Sequence, residues 1–258
     1  MNDFLDNKVS RSTFRAEERL PRLVVFSGAG ISAESGIATF RDSDGLWHGH
    51  DPRDVANYDT WRANHTLVHE FYNHRRVELG RASPNLAHAA VATWQRAYPG
   101  RVINITQNID DLFERAGVVD TVHLHGFLRN LRNIRTEELR DIGYSGFDAT
   151  TDPDRIIKPD VVFFGEMAPL YRVLSDIANT LDASDTVISI GSSGAVVNID
   201  PIVEMTGALG ILNVLDNVVG AIDEHVWDKR FYEPATLAVP AIDAIVRERM
   251  GLAASSEV

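Results

Sequence analysis

The sequence predicts an α/β fold built on a doubly wound parallel sheet, and three observations carry that reading. Short apolar runs recur with helical patterns between them, the alternation of a parallel sheet covered on both faces. The first run, Leu23-Val24-Val25-Phe26-Ser27, passes directly into Gly28-Ala29-Gly30-Ile31-Ser32-Ala33, a strand feeding a tight glycine turn that opens a helix. In such a turn glycine lets the backbone approach phosphates, and a helix N-terminus offers free N–H groups and a positive dipole end. Finally, 258 residues suffice for one large core, or for one core with a small lobe.

In chain order, the apolar runs place strands at Leu23–Ser27, Arg101–Thr106, Val119–Leu124, Asp160–Phe164, Thr186–Ile190 and Gly210–Leu215. Helical patterns cover Asp59–Leu79, Asn85–Ala97, Asp110–Ala116, Tyr171–Ala183, Ile199–Ala208 and Pro240–Met250. Two segments interrupt the alternation. Asp42–Ser83 is largely helical, and Gly126–Lys158 is polar and has no clear period. Both read as insertions at the carboxyl edge of the sheet, where open α/β folds bind ligands. The expected organisation is a single catalytic domain over 1–258. Its Rossmann-like core comprises 20–41, 84–125 and 159–250, its small lobe 42–83 and 126–158, and its tails 1–19 and 251–258.

Composition narrows the function. The net charge of −12 and the scattered basic residues argue against binding to a nucleic-acid backbone, and an acidic body favours basic partners such as lysine-bearing protein segments. The chain has no cysteine, which rules out disulfides, cysteine nucleophiles and thiolate metal sites. Residues 1–20 carry Asp3, Asp6, Glu17 and Glu18 and lack an apolar stretch, and no run approaches the length of a membrane span, so the expectation is a soluble cytoplasmic protein without a membrane partner.

Gly28-x-Gly30-x-x-Ala33 fits a relaxed dinucleotide fingerprint. A dehydrogenase would follow it with a second strand ending in an acid that holds the adenine ribose. Here Thr39-Phe40-Arg41-Asp42-Ser43-Asp44-Gly45-Leu46-Trp47 is a polar loop, and Asp42 and Asp44 come too early. The pattern describes a dinucleotide site that is not built for hydride transfer.

Four further motifs follow in order: Thr106-Gln107-Asn108-Ile109-Asp110, His123-Leu124-His125-Gly126, Val161-Val162-Phe163-Phe164-Gly165-Glu166 and Gly191-Ser192-Ser193. With Gly-Ala-Gly-Ile-Ser and Thr-Phe-Arg, this series resembles the sirtuins, the Sir2 family of NAD-dependent protein lysine deacylases, over about residues 20–250. The resemblance implies that NAD is consumed and that nicotinamide and O-acyl-ADP-ribose are released. It implies His125 as general base, a task that suits imidazole because it titrates near physiological pH. His123 reads as structural. By resemblance Asn108, Asp110 and Gln107 hold the nicotinamide and its ribose with Ile109 beside them, although Asn108 also fits a helix cap. The same comparison assigns Gly28, Ala29, Gly30, Ile37, Phe40, Arg41, Gly191, Ser192, Ser193, Asn213 and Ala235 to the cofactor. Ala235 is the less secure match, because Tyr232-Glu233-Pro234-Ala235 lacks the family's glycine.

Val161, Val162 and Phe163 would wall an apolar channel for the stem of an acyl-lysine peptide, and a buried central strand explains them equally well. Tyr72 and Arg75, three apart on a helix, share a face and resemble the Tyr-x-x-Arg pair of members that remove succinyl or malonyl groups. Most sirtuins brace the small lobe with zinc on two Cys-x-x-Cys pairs. Without cysteine no zinc is expected, and the lobe must rest on Leu128, Leu131, Ile134, Leu139, Ile142, Tyr144 and Phe147. His65-x-x-x-His69 has metal-compatible spacing but reads as a solvated helix face. Two other functions share the cofactor motifs: an NAD glycohydrolase or ADP-ribosyltransferase, and a non-catalytic NAD or ADP-ribose sensor, for which a base at His125 would have no use.

Overall fold

The computed structural model describes residues 19–38, 49–215 and 221–251. Its elements are β1 (Leu23–Ser27), α1 (Gly30–Ala33), α2 (Pro52–Val55), α3 (His65–Arg81), α4 (Leu86–Ala97), β2 (Val102–Thr106), α5 (Leu112–Ala116), β3 (Val122–His123), β4 (Gly126–Asn133), β5 (Leu139–Asp141), β6 (Ile157–Val161), α6 (Tyr171–Ala178), β7 (Thr186–Ile190), α7 (Asp200–Thr206), β8 (Leu209–Asn213), β9 (Lys229–Phe231) and α8 (Ala235–Met250). The main sheet has the order β3-β2-β1-β7-β8-β9, and all its pairings are parallel. Successive strands leave β1 in one direction and β7 in the other, so the switch point lies between those two. That is where doubly wound sheets open a ligand crevice.

Side-chain alternation along β1 divides the core. Leu23 and Val25 point into a cluster with α4 and α8, whereas Val24 and Phe26 point into a second cluster with α6 and α7. Each of these side chains is almost wholly buried, a contribution of about 1.5–3 kcal/mol apiece.

Several sequence expectations are corrected. The strand expected at Val119–Leu124 shrinks to β3, because Val119 is exposed and Asp120 adopts a positive φ of 54°. The run Asp160–Phe164 is not a strand of the parallel sheet. Its first residues belong to β6, which pairs antiparallel with β4 in a separate three-stranded sheet of order β5-β4-β6. β9 was not anticipated, and α8 starts at Ala235 rather than at Pro240. Ala235, Ala238 and Val239 draw that extra turn into the core, and the distant Glu34 carboxylate accepts the Thr236 N–H at its open end, 3.0 Å away.

The first insertion is helical, and the second carries the three-stranded sheet within the segment that showed no period. Two features explain its silence. Between Gly126 and Leu131 the register against β6 shifts, which breaks the alternation. The strands are also held by polar arms. Arg132 grips Asp160 through Nε and Nη2 at 3.0 and 2.7 Å, and Arg129 reaches the fully buried Asp111 at 3.2 Å. Tyr144 donates to the same Asp111 carboxylate at 2.6 Å. Asn73 of α3 clamps Phe147 with two hydrogen bonds to its backbone, of 2.8 and 2.9 Å.

Of the expected lobe packing, Leu128 and Leu131 are buried and Ile134 and Tyr144 pack on the cluster that holds Leu128, but Leu139 is exposed. His65 and His69 are not a solvated face. Both are buried, with His69 Nε2 3.0 Å from the Ile157 carbonyl and His65 Nε2 3.2 Å from the Asp152 carboxylate. Burial pushes the His69 imidazole down to about 4 against a smaller opposing effect of its bond to Ile157. Among the described residues no group of three or more His, Asp or Glu side chains is arranged to hold a metal ion.

Candidate functional site

At the switch point the turns after β1 and β7 touch. A Cβ on Gly28 would lie 2.8 Å from the Gly191 carbonyl oxygen, one on Gly30 2.7 Å from Gly191 Cα, and one on Gly191 2.2 Å from the Ile31 nitrogen. Gly191 also sits at φ +63°, a conformation costly for any other residue. The glycines of the fingerprint thus serve first to bring two backbone turns together, and Gly30 N–H seals the contact by donating to Gly191 O at 2.9 Å. Helix α1 beyond them is a single turn. Ser192, buried, and Ser193, half-buried, follow on the second turn.

A chain of buried polar groups ties these turns to the end of β2. Ser27 Oγ donates to Thr106 Oγ1 at 2.9 Å, and Thr106 Oγ1 accepts the Asn108 N–H at 3.0 Å. Asn108 Nδ2 donates to Gly28 O and to Ser32 Oγ, and Ser32 Oγ in turn donates to Asp110 Oδ2, at 3.2, 3.1 and 2.9 Å. The capping role offered to Asn108 goes to Asp110, whose Oδ1 accepts the Leu112 N–H at 3.2 Å. Burial pushes the Asp110 carboxyl upward, and the Ser32 hydrogen bond opposes that shift. Gln107 crosses to the second turn, donating to Ser192 Oγ at 2.9 Å. Ser27, Ser32 and Thr106 are the members of this network that sequence reasoning missed, although all three lie inside quoted motifs.

His125 stands just beyond the short β3. Its Nδ1 is 3.0 Å from the Gln107 carbonyl, which can only accept, so Nδ1 carries the proton and Nε2 presents its lone pair. Burial holds the imidazole below its ordinary range, with the Gln107 bond working the other way, and it is therefore neutral at physiological pH. Nε2 lies 2.7 Å from the Tyr171 hydroxyl, a residue the sequence reading did not single out because nothing in its pattern marks it beyond the start of a helix. His123 is structural as read. It bridges Asn108 O and the Glu114 carboxylate, both at 2.9 Å, and although burial resists its charge, Glu114 raises it overall.

The expected channel residues adjoin this histidine. Val162 N–H donates to His125 O at 2.9 Å, and Val161 and Phe163 are buried to either side. Phe163 stacks on Tyr72 with centroids 5.7 Å apart and planes 18° from parallel. From below, the buried Lys158 ammonium lies 4.0 Å over the Phe163 ring and 2.8 Å from Glu166, whose carboxylate accepts the Phe163 N–H at 2.8 Å. Tyr72 is itself 2 % exposed, and burial raises its phenol. Arg75 opens onto a cleft that Ala29, Ile37, Ile109, Asn108 and Asp110 also line, and Glu78 shares it. The first cofactor turn and the helix that carries Arg75 therefore meet at one cleft, which the buried Tyr72 does not line.

Two expected residues are less available. Asn213 donates both amide hydrogens to the backbone, to Phe231 O at 3.1 Å and Glu233 O at 2.8 Å, which leaves its oxygen for a ligand. The Ala235 methyl is packed in the core, so only its backbone faces a site. Phe40 and Arg41 lie outside the described residues.

The two turns fit a dinucleotide diphosphate. They abut at the switch point and carry nothing larger than a hydroxymethyl group where they meet, and Gln107 and Asn108 stand beside them. Comparison with known proteins agrees. The Sir2 family model matches residues 28–198. The chain is 43% identical to an NAD-dependent protein deacylase of Helicobacter hepaticus over 87% of this chain and 96% of that relative. It is 38% identical to one of Campylobacter jejuni over 86% and 94%. An ADP-ribose complex of a Sir2 homologue mutant superposes with a TM-score of 0.75 at 30% identity, covering 92% of this chain and 96% of that one. A Sir2 homologue–NAD complex gives 0.74 at 30% identity, covering 90% and 91%. With the motifs, the switch-point site and these relatives in agreement, the chain belongs to the Sir2 family.

Proposed function

We propose that the chain is an NAD-dependent protein lysine deacylase, with His125 as its general base. The observation that carries the reading is the state of that histidine. Its proton is fixed on Nδ1 by Gln107 O, its Nε2 presents the lone pair as an acceptor, and burial keeps it neutral beside the apolar Val161–Phe163 wall. When bound, NAD supplies a nicotinamide–ribose bond whose cleavage makes the ribose carbon the target of the acyl oxygen. In this reading the Gly28–Gly30 and Gly191–Ser193 turns hold the diphosphate, Asn213 the adenosine ribose, and Gln107, Asn108, Ile109 and Asp110 orient the reacting half. Phe40 and Arg41 keep the cofactor roles that the resemblance gives them, outside the described residues.

His125 Nε2 then takes a proton from a ribose hydroxyl, which activates that oxygen toward the acyl carbon. Val161, Val162 and Phe163 exclude water from the lysine stem. Arg75 would grip the distal carboxylate of a succinyl or malonyl group with Tyr72 beside it, while Glu78 on the same cleft tempers the positive field and leaves acetyl-lysine acceptable. The substrates are acyl-lysine segments of proteins, to which the net charge of −12 is suited, and the site of action is the cytoplasm. Among the described residues no helix is long and apolar enough to cross a membrane.

A mass-spectrometric time course with NAD and acetyl-, succinyl- and malonyl-lysine peptides tests this. Nicotinamide release that depends on peptide and yields an acyl-ADP-ribose, abolished by His125→Ala, is the expected result. Nicotinamide release without a deacylated peptide would transfer the chain to the glycohydrolases, and no turnover at all would leave an NAD sensor.

A further inference from the structure

The lone pair that His125 needs for chemistry is already engaged. Tyr171 is the first residue of α6, and its phenol approaches Nε2 to 2.7 Å with the two ring centroids 5.7 Å apart. Because Nδ1 is committed as donor to Gln107 O, Nε2 is the acceptor and the phenol must be the donor. A hydroxyl therefore sits on the base in the geometry that a substrate hydroxyl would adopt. One nitrogen lone pair accepts one such bond, so the two hydroxyls compete. The phenol is half-buried, its ring packs on the apolar cluster under the sheet, and α6 is reached through Phe164–Leu170, several of whose residues are exposed. His123 and Asp110 are engaged with Glu114 and Ser32 respectively, and the influences acting on His125 are its burial and the Gln107 carbonyl.

We propose that Tyr171 is a positioning residue that holds His125 in its reactive orientation by mimicking the ribose hydroxyl, and that NAD binding must displace its phenol from Nε2. The inference rests on the reading of His125 as the base. The exchange keeps the base oriented and shielded from solvent until the cofactor arrives. Its cost is that each binding event gives up one protein hydrogen bond. Tyr171→Phe keeps the ring and its packing and removes only the competing hydroxyl. Since a neutral hydrogen bond has a net worth of 0.5–1.5 kcal/mol, NAD should bind Tyr171→Phe about 2- to 10-fold more tightly and its KM should fall by a similar factor, with kcat held within about twofold.

The experiment is calorimetric titration of the purified full-length chain with NAD, with steady-state kinetics on an acyl-lysine peptide and 15N spectra of the imidazole. Wild type, Tyr171→Phe, His125→Ala and the double variant are compared. Tighter NAD binding in Tyr171→Phe that vanishes in the His125→Ala background, a lower KM in Tyr171→Phe alone, and a shifted Nε2 resonance in the free Tyr171→Phe protein would bear the proposal out. Unchanged affinity and an unchanged Nε2 resonance would overturn it, and so would weakened affinity with loss of kcat, which would make Tyr171 a contact for the ligand. Full turnover by His125→Ala would instead defeat the reading of the base, a separate outcome seen in a separate variant.

Discussion

The two halves of the cleft are held by opposite kinds of contact. On the core side, backbone meets backbone across Gly28, Gly30 and Gly191, with side chains reduced to nothing so that two turns can touch. On the lobe side, long polar side chains span the gaps: Arg129 and Tyr144 converge on Asp111, Arg132 on Asp160, and Asn73 on Phe147. The first kind of contact responds to a single methyl group and hardly to charge. The second responds to protonation and to the loss of one partner. In a chain without cysteine the lobe is braced by ion pairs and hydrogen bonds, so the difference teaches that one side of the cleft is exposed to solution conditions in a way the other is not.

The sharpest way to break this contrast is Gly191→Ala. The new methyl would fall 2.2 Å from the Ile31 nitrogen in a left-handed backbone, so the turns must part. We expect a loss of about 3 kcal/mol in urea unfolding and at least a hundredfold loss of NAD turnover. Near-normal NAD affinity would show that the contact between the turns is incidental. Next in size is Asp111→Ala, which takes the buried partner from Tyr144 and from Arg129 and leaves Arg129 only the exposed Asp141. A cost of about 2–3 kcal/mol should fall on the lobe, read as rapid proteolysis between Gly126 and Lys158 while hydrogen exchange in β1 and β7 stays slow. Equal loosening of both regions would erase the distinction.

Acid probes the two sides together. Burial holds His69 of the lobe and His88 of the core down to about 4. Above pH 6.5 each is neutral whether folded or unfolded, so neither changes stability. Below 6.5 the unfolded chain takes up protons that the folded chain refuses, and stability falls by about 1.4 kcal/mol per pH unit for each, down to about pH 4. Unfolding measured from pH 7.5 to 4.5 should show this dependence, and His69→Gln should lower the slope by about 1.4 kcal/mol per pH unit while leaving the α4 share. A slope untouched by that substitution would remove His69 from the account. The smallest expected effect is Arg75→Met, about tenfold against succinyl-lysine peptides and under twofold against acetyl-lysine ones in competition assays. An equal loss on both would deny an acidic-acyl pocket at Arg75.

The contrast also explains what the sequence disclosed. Contacts made by glycine turns and apolar strands leave a local trace, and the positions of β1, β2 and β7, the two turns and the Gln107–Asp110 segment could all be placed from local pattern. The lobe's sheet could not, because its strands are paired through Arg129, Arg132 and Asp160, residues that look like solvated surface until their distant partners are known. The same blindness hid the Glu34 cap on Thr236, the burial of His65 and His69, and the phenol of Tyr171 on His125. Each depends on a partner at least 46 positions away in the chain for its meaning, as Tyr171 does on His125.

The central claim is that a cysteine-free lobe and an intact switch-point site together make a working deacylase. It is tested most directly by following peptide deacylation and nicotinamide release in the presence of NAD, before and after exhaustive dialysis against a strong chelator. The account predicts stoichiometric formation of nicotinamide, deacylated peptide and acyl-ADP-ribose at a rate the chelator does not change. Nicotinamide release without peptide deacylation, or turnover lost on chelation and restored by zinc, would contradict it.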